Sequence, residues 1–128
     1  MKLHTYDQTS QPPIEYLPMK SAEAYELGQT LTISDGMAVA GTGKPSHICM
    51  GTATGVAGGT IPAIRVNPDM EFAAVLTAAG TALKLGDSVT IAANNKDVTA
   101  TTTSGVFTIT GFTTGEKAQG DQVLGRFL

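Results

Sequence analysis

Polar and apolar positions alternate in three related stretches of the chain. Residues 27–34 read LGQTLTIS, residues 85–92 read LGDSVTIA, and a shorter echo, GDQVLGRF, occupies residues 120–127. In each, a glycine and a polar residue precede the alternation, which Leu31 and Ile33 carry in the first stretch, Val89 and Ile91 in the second and Val123 in the third. Period-two alternation behind a turn residue is the pattern of a half-buried strand, so Leu31, Ile33, Val89 and Ile91 are expected to face a core. Gly28, Gly86 and Gly120 are expected in conformations that a Cβ would disfavour, with the side chains of Gln29, Asp87 and Asp121 bonded to nearby backbone.

Turn residues recur at short intervals from Ser21 onward: Asp35-Gly36, the stretch from Gly41 to Pro45, Gly58-Gly59, Asn67-Pro68-Asp69, Gly80, Asn94-Asn95, Ser104-Gly105 and Gly115. Between them the pattern predicts strands over residues 29–33, 37–40, 47–53, 60–66, 70–76, 86–92, 97–102, 105–112 and 121–127. Strands at this spacing predict an all-β fold, a small β-sandwich or barrel. Two segments, Ala22 to Leu27 and Ala73 to Leu83, have room for a helical turn. The clearest hairpin runs from Val89 to Thr110, and its threonine tract, Thr99 to Thr103, reads as an exposed edge strand.

The first twenty residues break the pattern. Pro12, Pro13 and Pro18 remove ladder donors and leave no helical period, so residues 1–20 read as an extended N-terminal arm ahead of a β-rich domain at 21–128. The arm carries apolar groups at Tyr6, Ile14, Tyr16, Leu17 and Met19, which are expected to lie either on its own domain or on a neighbour and are the candidate partner contacts.

Composition supports one domain of 128 residues, long enough to form a core without a disulfide or metal staple. Charged residues are only 15% and there is no Trp, while 15 glycines and many Ala and Thr suit thin sheets. The net charge of −3 gives no basic field for nucleic acid. No run approaches the ~18 apolar residues of a membrane span, and the opening MKLHTYDQTSQPP lacks the apolar core of a signal peptide, so neither a membrane nor export is expected.

Reactive groups are few. Cys49 sits in an apolar stretch and reads as a small buried hydrophobe. The string GTGKPS at residues 41–46 is similar to a phosphate loop, but Ala38 and Pro45 stand where such a loop needs Gly and Ser or Thr, so it reads as a turn. His4 and His47 have no partners at metal-ligand or triad spacing, and Asp69, Glu71, Asp87, Asp97 and Asp121 lie near turns, where they serve turn chemistry and solubility. No enzymatic activity and no cofactor are expected.

With these residues in view, the chain resembles the small capsid cement or head-decoration proteins of tailed bacteriophages. The likeness covers residues 20–128 and rests on ELGQTLTISDGMAVAGTGKPSHICMGTA, GGTIPAIRVNPDMEFAA, LKLGDSVTI and the closing GDQVLGRFL. It implies a β-rich protein on the outside of the virion's icosahedral head, synthesised in the host cytoplasm. It further implies a homotrimer whose N-terminal arm touches the major capsid protein and stabilises its lattice. The family has no catalytic residues to carry over. Two other readings stand beside it: a β-clip-type carbohydrate-binding module and a fibre- or tail-associated domain.

Overall fold

A computed structural model describes residues 1–6 and 13–127, with the side chains of Thr5 and Tyr6 outside the described part. Twelve strands form three antiparallel sheets: β1 (Lys2–Tyr6), β2 (Ile14–Pro18), β3 (Ala24–Tyr25), β4 (Thr30–Ser34), β5 (Met37–Ala40), β6 (His47–Cys49), β7 (Ala53–Thr54), β8 (Thr60–Arg65), β9 (Met70–Val75), β10 (Ser88–Val89), β11 (Phe107–Phe112) and β12 (Gln122–Phe127). One five-stranded sheet has the order β1-β9-β12-β11-β10, the other the order β2-β8-β6-β4-β5, and β3 pairs with β7 alone. The all-β architecture is that of a small β-sandwich.

Two cores hold it together. Ile48 and Ile64 point from the second sheet toward Met70, Phe72, Phe107, Ile109, Val123 and Phe127 of the first, all buried in one cluster. Phe127 packs edge-on against Phe107, with centroids 5.2 Å apart, and tilted against Phe72 at 5.6 Å. The opposite face of the second sheet closes on a cluster of its own, with Leu17, Met19, Tyr25, Leu31, Ala38, Cys49, Ile61 and Ala63. That sheet curls until Met19 bridges Ala38 of β5 in parallel, so its two edge strands meet at one end.

The repeated motif is a turn. Gly28, Gly86 and Gly120 have φ of +87°, +91° and +92°. Each occupies the third position of a four-residue turn closed by Gln29 N–H to Glu26 O, Asp87 N–H to Lys84 O and Asp121 N–H to Ala118 O. The last side chain answers in the other direction, accepting from the first residue's N–H: Glu26 to Gln29 Oε1 at 3.2 Å, Lys84 to Asp87 Oδ2 at 2.9 Å, Ala118 to Asp121 Oδ2 at 2.8 Å. Positive φ at the third position is the requirement of a type II turn, which only glycine meets without strain.

Several expectations need correction. The segment 47–53 breaks into β6 and β7, because the chain leaves the second sheet after Cys49 to pair with β3. Residues 97–102 form no ladder beyond bridges at Val98, since hydroxyls compete for the backbone there: Thr99 Oγ1 accepts from Thr101 N–H and bonds Thr90 Oγ1. Neither expected helical turn forms; Ala24–Tyr25 is strand, and Ala73 and Ala74 pair with Leu124 and Val123, a case of tertiary pairing overriding alanine's helical preference. Ile33 is 46% exposed, for it lies toward the Asp35-Gly36 hairpin end of β4, beyond the core that buries Leu31.

The arm is extended, but it is not outside the core. β1 pairs with β9 at the edge of the first sheet, and β2 pairs with β8 at the edge of the second. Leu17 and Met19 are buried in the second cluster, because Glu15, Leu17 and Met19 alternate toward the body while Ile14, Tyr16 and Pro18 alternate away. Met19 N–H donates to Gly59 O, which fixes the hydrogen-bonding phase: Glu15 and Leu17 direct their backbone groups to β8, and Ile14, Tyr16 and Pro18 direct theirs to the open edge. Pro18 therefore gives up no ladder bond.

Candidate functional site

The face of the second sheet turned toward the first is apolar also where the first sheet leaves it uncovered. Ile14, Ile64 and Ile48 lie side by side across β2, β8 and β6, and the next row holds Tyr16, Pro62 and Met50, whose N–H donates to Pro62 O at 2.8 Å. Ile48 and Ile64 are buried under the first sheet, whereas Ile14 is 52% and Tyr16 67% exposed. Beside them a groove of about 400 Å³ is lined by Leu3, Ile14, Leu27, Ile48, Met50 and Ile64, with Lys2 and Met1 at its rim. Exposed large apolar residues grouped around one concavity mark a contact surface, unlike apolar residues scattered singly.

The structure thus divides the five predicted contacts. Ile14 and Tyr16 stand on the open face. Leu17 and Met19 do not, being committed to the core by the strand's alternation. The Tyr6 backbone pairs with Met70 at the end of β1, and its side chain falls outside the described residues. Two residues of the patch escaped the sequence reading. Leu27 occupies the exposed second corner of the first repeated turn, and Met50 follows the buried strand β6; the signal for Leu27 was an apolar residue inside a turn motif.

Glu15 explains how β2 is held. It lies on the body-facing side of the strand, where Arg65 grips its carboxylate with two bonds, Nη2 to Oε1 at 2.9 Å and Nε to Oε2 at 3.1 Å. His47 Nε2 reaches Oε2 at 3.2 Å, and its Nδ1 meets Ser46 Oγ at 2.8 Å. The Arg65 bonds hold the Glu15 carboxyl below the usual carboxylate range against the opposing pull of burial, and His47 adds to the effect. Spacing had given His47 no partner, because Glu15 is 32 residues away and across two strands.

This line of Ser46, His47 and Glu15 has the connectivity of a hydrolytic relay, so its chemistry needs weighing. The carboxylate that would orient the imidazole is already shared with a bidentate guanidinium. The Ser46 hydroxyl also points at Leu31 O, at 3.4 Å, and Ser46 does not line the groove beside Ile14. The arrangement clasps β2 to β6 and β8. His4 makes a separate pair on the outer face of the first sheet, Nδ1 to Glu71 Oε1 at 2.7 Å, where Thr110 donates to Glu71 Oε2 at 2.6 Å and keeps that carboxyl low.

The remaining chemistry is sparse. The Cys49 thiol is buried and donates to Gly51 O at 3.2 Å, and burial pushes its pKa up, away from thiolate reactivity. Gly41 to Lys44 form the connection from β5 to β6, with Thr42, Gly43 and Lys44 exposed. Among the described residues no cluster of three or more His, Cys, Asp or Glu is placed to hold a metal ion, and no helix is long and apolar enough to cross a membrane. No family model matches the chain, and no curated protein or solved structure matches it either.

Proposed function

We propose that this chain is a structural virion protein that binds the outside of a tailed-phage head and stabilises the lattice of the major capsid protein. In this reading it acts as a homotrimer, without catalysis and without a cofactor. The observation that carries it is the open face of β2, where Ile14 lines an apolar groove and Tyr16 stands exposed beside it, while the other described aromatic side chains are buried or partly buried. A tyrosine beside aliphatic anchors at a concave apolar surface is the composition of an interface centre. The sequence likeness to head-decoration proteins supplies the partner.

The carbohydrate-binding alternative ranks below it. Sugar recognition uses exposed aromatic faces, and Tyr25, Phe72, Phe107 and Phe127 are buried, while Phe112 lies under the Lys117 ammonium at 4.4 Å. The test is to mix the purified protein with expanded heads lacking it, pellet them, and heat the decorated and bare heads. The reading predicts saturable co-pelleting and a rise in the temperature of head rupture with added protein, as expected of a ligand that binds the assembled state. Absence of both refutes it.

A further inference from the structure

Every described strand pairing of the arm is made to the body of the domain. β1 and β2 pair with β9 and β8 and not with each other, so the arm is a pair of edge strands, one for each sheet. The body needs both, because without them β8 and β9 present bare edges and the seats of Leu17 and Met19 stand open.

The return from arm to body is a tight turn at residues 20–23, closed by Glu23 N–H to Lys20 O. Within it Ala22 has φ of +66°, the left-handed region that an alanine enters only at a cost. Ala22 is exposed, so no core burial of its methyl offsets this. Two backbone bonds, Ala22 N–H to Gly55 O and Gly55 N–H to Glu23 O, hold the turn against β7. A short connection under strain ahead of a separable edge element is the arrangement that favours exchange of that element between identical chains.

We infer that in the assembled protein the arm, residues 1–20, is exchanged: each copy's β1 and β2 occupy the seats of the next copy around a closed ring. A second copy offers the same β8 edge, the same His47 and Arg65 for Glu15 and the same pocket for Leu17 and Met19. The contacts made in trans are therefore those made in cis, and extension of residues 20–23 releases the strain at Ala22. The inference rests on the self-association part of the proposed function and is independent of head binding.

The register provides the test. Pro18 lies opposite Thr60, both exposed, in a pair whose backbone groups point away from each other. Such pairs have Cα atoms about 4.5 Å apart, within disulfide reach. A chain with Pro18→Cys is co-expressed with one carrying Thr60→Cys, oxidised, and analysed by intact mass beside the chain carrying both changes; light scattering gives the assembly size. Arm exchange predicts an oligomer, disulfide-linked pairs of the two single variants, and covalent multimers of the double variant. Ala22→Gly, which removes the strain from the unexchanged form, should weaken self-association about five-fold per hinge. An oligomer whose double variant yields only internally bonded single chains, or no disulfide at all, overturns the exchange alone. A monomer overturns both the exchange and the proposed self-association.

Discussion

Tyr25 donates its hydroxyl to the carbonyl of Ala38 at 2.6 Å and accepts from Lys20 N–H at 2.8 Å, so one buried phenol joins the end of the arm to β5. With the parallel bridge between Met19 and Ala38, it closes the curl of the second sheet. Replacing Tyr25 by Phe keeps the ring but leaves a buried carbonyl without its partner. A loss of about 1–3 kcal/mol in urea unfolding is expected. Stability equal to the parent would show that the curl closes without this bond.

Glycine substitutions separate conformation from space. Gly43→Ala meets open space in an ordinary conformation and should be nearly neutral. Gly86→Ala also meets open space but must hold φ of +91°, at a cost of about 1 kcal/mol or more. Gly105→Ala sets its Cβ into the backbone of Ser88, so β10 must part from its neighbour, and it should be the worst of the three. Any other order in thermal unfolding contradicts the turn geometry.

Core register is checked by truncation. Ile91→Ala should cost about 2–5 kcal/mol, as for other buried aliphatic side chains. Ile33→Ala, on a half-exposed site, should cost clearly less, and the exposed Thr101→Ala should stay within about 0.5 kcal/mol. Equal losses at positions 91 and 33 would place β4 deeper than described.

The Glu15 clasp has a defined pH dependence. Its folded pKa lies below the unfolded one, so its contribution is present at neutral pH and fades as pH falls below about 4.3 toward the lowered folded value. Arg65 is 70% exposed, so the effect is modest and screened by salt. The stability gap between the parent and Glu15→Gln should therefore be small at pH 7, shrink on acidification and narrow with added salt. A gap that widens toward low pH would contradict this assignment.

Local chemistry explains what the sequence revealed. The three glycine turns, their polar fourth residues and the strands behind them depend on neighbours within a few positions, and Gly28, Gly86 and Gly120 sit where the motif put them. The fate of the arm depends on β8 and β9, whose paired residues lie 42 to 71 positions downstream. Its prolines look disruptive until Pro18 is found facing the open edge. The patch was half legible for the same reason. The run from Ile14 to Met19 holds an outward set and an inward set, and Glu15 obscured the phase by being a charged residue on the body-facing side, paired with Arg65 and His47. Once the phase is known, Ile14 and Tyr16 separate from Leu17 and Met19.

Head binding through the open face of β2 is the central claim, and a double variant tests it directly. Ile14→Ser with Tyr16→Ser changes only side chains that are 52% and 67% exposed and belong to neither buried cluster, so folding should persist, as judged by an unchanged unfolding midpoint. In a pelleting titration against heads lacking the protein, the account predicts at least a ten-fold loss of affinity, the scale expected when anchor side chains leave an interface. Decoration by the double variant at parental affinity would contradict it.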